Sequence, residues 1–217
     1  MPAQMHITAN ALISRSRILK NGQPVFEDKM VDAPAFLTAV YQHFGLKYPK
    51  FYKMDNLSKL GWLASAILLK DSFEPGKYKP EEVGVILFNA SSSLDADLRY
   101  FESAKEFASP ALFVYTLPNI VIGEICIHNH FKGENAFFIS EAFDADFVQK
   151  YVSNLINNNI LQACICGWVE FIEEAYEAVL FLVEKSGDEQ KYDGAYNIDN
   201  TLFTKDNLNK IYQSNNG

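Results

Sequence analysis

The chain is poor in cysteine, with three among 217 residues, poor in histidine, with four, and it carries no cluster of lysine or arginine. Each shortage narrows the field. The cysteines, Cys126, Cys164 and Cys166, are odd in number and all lie in apolar segments. That argues against a disulfide framework and fits reduced thiols in the core of a cytoplasmic protein. Nineteen basic residues stand against 27 acidic ones, a net charge of −8. Nucleic acids and anionic membranes are held by clustered Lys and Arg, so neither is expected as a partner. No apolar run is long enough to span a bilayer; residues 163–169 form a short one with polar flanks. The opening MPAQMHITAN lacks a basic region followed by an apolar one, so no secretory leader is expected.

What the chain does have is apolar bulk. Hydrophobic residues make up 48% and aromatics 14%, enough for one sizeable domain with a buried core. Residues 5–26 read as a β-hairpin turning at Asn21-Gly22, a pair suited to positive φ. Residues 34–44 have helical spacing, with Pro34 in the first turn and Gly45 past the end. Asp55 is placed to cap an amphipathic helix running to about Lys70, on which Gly61 and Ala64 would admit a close neighbour. The run VGVILF at 83–88 reads as a buried strand, and Leu94, Leu98, Phe101 and Phe107 mark a helix after it. Further on, a helix over 147–156 and buried strands at 161–168 and 178–183 are expected. From Ser186 the composition turns polar, with one short helix near the end. The succession predicts an α/β fold: a mixed sheet of about five strands with helices on both faces, plus the hairpin. Residues 1–185 form the domain and 186–217 a polar extension.

The most informative stretch is 109–142, SPALFVYTLPNIVIGEICIHNHFKGENAFFISEA. It reads as a loop, a buried helix and a buried strand ending in an acidic corner, Glu141-Ala142-Phe143-Asp144. This stretch resembles the β-ketoacyl-ACP synthases, condensing enzymes of the thiolase fold. In that family a Ser-Pro-aromatic segment leads through an Asn and a Gly-bearing helix to a Gly turn. A strand follows, ending in Thr-Ala-Cys, whose Cys accepts the acyl chain. Ser109-Pro110, Pro118-Asn119, Gly123 and Lys132-Gly133-Glu134-Asn135 fall at matching spacing, so Asn119, Gly123 and Gly133 stand as the structural positions of the motif. YKMDNLSKLGWLASA, VGVILFNASSS and ILQACICGWVE resemble neighbouring parts of the same fold. The resemblance covers roughly residues 50–185, and the chain is similar to the ketosynthase N-terminal-like family, whose short members hold half of the full fold.

Two departures follow from that resemblance. The position of the cysteine is Ala142, and no thioester forms on a methyl group. The histidines that serve decarboxylation in the family come from a C-terminal half, which is expected to be absent. The resemblance therefore implies a catalytically inactive partner of an active synthase. It would resemble a chain length factor of fatty-acid or polyene/polyketide biosynthesis, with an acyl carrier protein as a further partner. In the family the strand before the nucleophile pairs across a dimer two-fold. That makes Ala136, Phe137, Phe138, Ile139 and Phe143 the interface candidates here. The alternatives are an acyl-ACP hydrolase or acyltransferase using Ser140, Glu141 or a histidine, and a homodimer of another role.

Each candidate residue also has a plain structural reading. Asp144 suits an N-cap for the helix that follows. His128 and His130 are two apart, the wrong spacing for two ligands on one helical face, so no metal or cofactor is expected. Cys164 and Cys166, two apart in a strand, point the same way and suit core packing rather than redox chemistry. The aromatic residues Phe113, Tyr115, Phe131, Phe137, Phe138 and Phe143 belong either to an open interface or to the domain's own core.

Overall fold

The computed structural model describes residues 3–29, 32–186 and 201–214. Strands β1 (Met5–Ser14), β2 (Arg17–Lys20) and β3 (Gln23–Glu27) form an antiparallel meander. The sequence reading has one hairpin here; the structure has two tight turns. Residues Arg15 and Ser16 have φ of 48° and 57°, and Asn21 and Gly22 have 51° and 74°, the positive values that two-residue hairpins need. Arg-Ser carries no turn signature of its own. Its geometry is held from afar, by the Ser16 backbone N–H donating to Tyr176 Oη at 2.9 Å.

Four further strands complete the body of the sheet: β4 (Val83–Asn89), β5 (Asn135–Ile139), β6 (Ala163–Ile172) and β7 (Ala175–Lys185). A two-residue strand, β8 (Thr201–Leu202), pairs with β1. The order is β3-β2-β1-β7-β6-β4-β5. Strand β4 runs parallel to β5 and β6, and the other pairings are antiparallel. The mixed α/β half is thus present, with eight strands rather than about five. The N-terminal hairpin is no appendage, because β1 lies inside the sheet between β2 and β7.

Helices cover both faces. On one lie α1 (Ala33–His43), α2 (Asn56–Leu69) and α5 (Ile120–Asn129), packed on the sheet through Phe36, Leu63 and Ile125. Gly61 of α2 lets α5 come close: a Cβ there would stand 2.4 Å from Val121 Cγ2. On the other face lie α6 (Ala145–Asn157) and α7 (Lys205–Ser214), through Val148, Val152, Ile156 and Leu208. Between β4 and α5 run α3 (Leu94–Ala104) and the single-turn α4 (Pro110–Val114). The part of the expected tail at 187–200 and 215–217 lies outside the described residues.

The stretch 109–142 departs from its reading in two ways. Its expected opening loop is α4, capped by Ser109 Oγ accepting from Leu112 N–H at 3.3 Å. Its expected buried strand, β5, is an edge strand with both end residues exposed.

Candidate functional site

The corner at Ala142 is built by three local devices. Ser140 prolongs the β4–β5 pairing by one bond, its N–H donating to the Asn89 carbonyl at 2.9 Å. The Ser140 hydroxyl then closes the turn by donating to the Ala142 carbonyl at 2.8 Å. Asp144 accepts from the N–H groups of Asp146 and Phe147, both at 3.0 Å, which satisfies two of the free donors at the start of α6. The corner is therefore fixed in shape, and Ala142 and Glu141 stand exposed on it.

An open depression lies over the corner, lined by Ser140, Ala142, Phe143 and Asp144 and by Lys205 and Asp206 of α7. Lys150 bonds Asp146, and that hydrogen bond holds the Asp146 carboxyl below its usual range. None of the four histidines lines the depression. The Ser140 hydroxyl donates to a backbone carbonyl rather than to a base.

The interface candidates separate. Ala136 and Phe138 face α6, where the Phe138 ring lies 5.1 Å from each of Phe88, Phe147 and Tyr151. Phe137 packs on the opposite face of the sheet. Ile139 is 54% exposed at the end of the strand. Phe143 is covered by the chain itself, stacked against Tyr212 at 4.7 Å and Phe181 at 6.0 Å. Tyr115 and Phe131 are buried, whereas Phe113 is 59% exposed. The six aromatics are thus no single patch.

The motif positions also differ from one another. At Gly133 a Cβ would stand 2.5 Å from the Val83 carbonyl oxygen, so no larger residue fits against β4. At Gly123 it would meet nothing within 4 Å. Asn119 precedes α5 with its side chain making no capping bond. His130 ends that helix in the left-handed region, φ 59°, and His128 packs on Tyr48 and Trp62. Burial lowers the His128 pKa. Burial raises Cys126 to about 11, and Cys164 and Cys166 are free thiols wholly inside the core. Among the described residues no group of three His, Cys, Asp or Glu side chains is placed to hold a metal ion, and no helix is long and apolar enough to cross a membrane.

Two features escape a reading of the sequence. Glu124 in α5 is buried, paired with Lys50 at 2.8 Å and close to the hydroxyls of Tyr115 at 3.4 Å and Tyr48 at 3.5 Å. Burial, then the Glu124 charge, raises the Tyr115 pKa far above its ordinary value. The second is an apolar ridge on α3 and α4. Leu94, Leu98 and Phe101 recur at i, i+4 and i+7, the spacing of a helix face seated on a core, yet only Ala96 of α3 is buried. These three residues, with Phe107, Phe113 and Leu117, are 41–81% exposed.

No protein-family model and no characterised protein matches the chain by sequence. Solved structures do match by shape. The ishigamide ketosynthase/chain length factor superposes with a TM-score of 0.63 at 16% identity, over 86% of this chain and 63% of that one. A ketosynthase in complex with its chain length factor from Xenorhabdus doucetiae gives 0.54 at 12% identity, over 85% and 80%. A β-ketoacyl synthase from Burkholderia phymatum gives 0.54 at 12% identity, over 85% and 59%. The chain has the fold of ketosynthases and chain length factors, and spans 63% of the length of the first of these structures.

Proposed function

We propose that the chain is a ketosynthase-like protein without condensing activity of its own, which partners an active β-ketoacyl-ACP synthase as a chain length factor does. The observation that carries this reading is Ala142. The chain shares the ketosynthase fold, and the position that the resemblance of 109–142 assigns to the nucleophile holds a side chain with no nucleophilic atom. The corner is open and exposed, so its alanine is not there to fill a core.

Two surfaces support a partner. Among the described residues strand β5 is paired only through β4, and an edge of this kind is a template for a strand from another chain. The ridge on α3 and α4 adds apolar area. Phe101, Phe107 and Phe113, exposed by 65%, 81% and 59%, put roughly 400 Å² of aromatic residue surface in water. Leu94, Leu98 and Leu117 lie in the same stretch, 41–56% exposed, and exposed apolar groups gathered in one region are the mark of an interaction surface. The occupant is a chain of the same fold carrying the nucleophile, and the pair would draw acyl chains from an acyl carrier protein, for a fatty acid or a polyene/polyketide.

The test is co-expression with the cognate synthase. A 1:1 complex, lost on Ile139→Asp or Phe101→Ser, is expected, with acylation on the partner only. Hydrolysis of acyl-ACP by the isolated chain, abolished by Ser140→Ala or Glu141→Ala, would instead establish a hydrolase.

A further inference from the structure

We infer that Glu124 is a positioning residue: buried in α5, it fixes through Tyr115 where α4 and the apolar side chains around it stand, and with them the surface offered to a partner synthase. The inference rests on the partner reading above. Its first support is that α4 is seated without burial of its own. No residue of Pro110–Val114 is buried, and Phe113 and Val114 are exposed. The residue that goes inside is the next one, Tyr115, whose hydroxyl donates to Glu124 Oε1 at 3.4 Å. The Ser93 hydroxyl donates to the Thr116 carbonyl at 2.8 Å, which ties the end of α4 to the start of α3. In α3 only Ala96 is buried, and the Asp95 carboxylate accepts from Asn56 Nδ2 of α2 at 3.1 Å. Hydrogen bonds have preferred directions, so these bonds orient two helices whose large apolar side chains are exposed.

The second support is the carboxylate itself. Glu124 is 3% exposed, and a buried charge persists where it is paired and hydrogen-bonded. Lys50 Nζ stands 2.8 Å from Oε1, and the Tyr48 hydroxyl donates to Oε2 at 3.5 Å. One side chain thus joins α5 to the helical turn Pro49–Lys53 with its preceding tyrosine, and to the end of α4. Tyr48 is itself seated, stacked on Trp62 of α2 at 5.2 Å and 4.7 Å from the His128 ring. The acceptor that receives Tyr115 is therefore anchored from the opposite side. Burial, then the Glu124 charge, holds the Tyr115 hydroxyl far above the ordinary tyrosine range, which keeps it a donor.

Three variants of the full chain, co-expressed with the cognate synthase, test this: Tyr115→Phe, Glu124→Gln and Glu124→Ala. Phe keeps the buried ring and removes the donor; Gln keeps an acceptor for both tyrosines and gives up the charge. Tyr115→Phe should melt within about 4 °C of the unmodified chain while amide exchange quickens across 110–117. Its affinity for the synthase should fall at least about fivefold, the scale of one hydrogen bond to a charged acceptor. Glu124→Ala should weaken binding further, and Glu124→Gln should restore part of that loss. The inference is overturned if Tyr115→Phe leaves exchange across 110–117 unchanged, or if β6 and β7 lose protection along with it. It is overturned alone if Phe101→Ser with Phe113→Ser abolishes binding while Tyr115→Phe leaves affinity intact. If that double variant binds as tightly as the unmodified chain, the partner reading of the ridge fails instead, whatever the exchange across 110–117 shows.

Discussion

Asp144 and Asp55 each cap a helix, and they differ in how exposed they are. Asp144 holds the first turn of α6 from the surface. Its replacement by Ala should cost about 1 kcal/mol, measured by urea unfolding, and loosen the corner without touching the sheet. Asp55 caps α2 from inside, 3% exposed, accepting the Ser58 N–H at 3.1 Å. Burial, opposed by those hydrogen bonds and aided by Asp95, pushes its pKa up from 3.8 to about 6. Between those two values the folded chain keeps a proton that the unfolded chain has released. This group's stabilisation is therefore full below about pH 4 and declines as pH rises through 6, by up to about 3 kcal/mol. Asn also caps helices, so Asp55→Asn should flatten the stability profile between pH 4 and 7. Unfolding curves that shift with pH in parallel for both proteins would count against this assignment.

At the scale of elements, the turn 132–134 decides where β5 lies. Lys132 and Gly133 donate to the carbonyls of Pro80 and Val83, at 2.8 and 3.1 Å, and Glu134 accepts from Val85. Gly133→Ala drives a methyl against the Val83 carbonyl and should cost about 3 kcal/mol or more. Gly123→Ala meets open space in a helix and should stabilise by about 0.5–1 kcal/mol. Melting temperatures separate the two. Local chemistry of this kind was legible in the sequence: the caps at Asp55 and Asp144, the Asn21-Gly22 turn and the close approach at Gly61 all follow from residue type and spacing. Direction was not. The period of Leu94, Leu98 and Phe101 announces an apolar face but not whether that face meets the core or water. The run NAFFI announces a strand but not that it sits at an edge. The same holds for β1, whose partner β7 lies at the far end of the sequence, and for Leu208, Ile211 and Tyr212, whose seat on α6 no local pattern encodes. At the site, the resemblance pointed to the corner at Ala142. It did not reveal that Phe143 is covered by α7.

Across the whole molecule the surfaces divide. The face of α6 is covered by the chain's own α7, while among the described residues nothing pairs the outer edge of β5 and the apolar side chains of α3 and α4 are exposed. If the ridge serves a partner, the double variant Phe101→Ser, Phe113→Ser should fold with an unchanged melting temperature, because both rings are already largely in water, and should lose its partner. A loss of several degrees would assign the ridge to the domain's own stability instead. The central claim is that this chain supplies a surface and another chain supplies the nucleophile. Native mass spectrometry of the protein purified from its own cells, after loading with acyl-ACP, tests it most directly. The account predicts a 1:1 assembly with a cysteine-bearing ketosynthase and the acyl mass on that partner alone. An acyl adduct on this chain, or a monomer or homodimer that turns over acyl-ACP unaided, would contradict it.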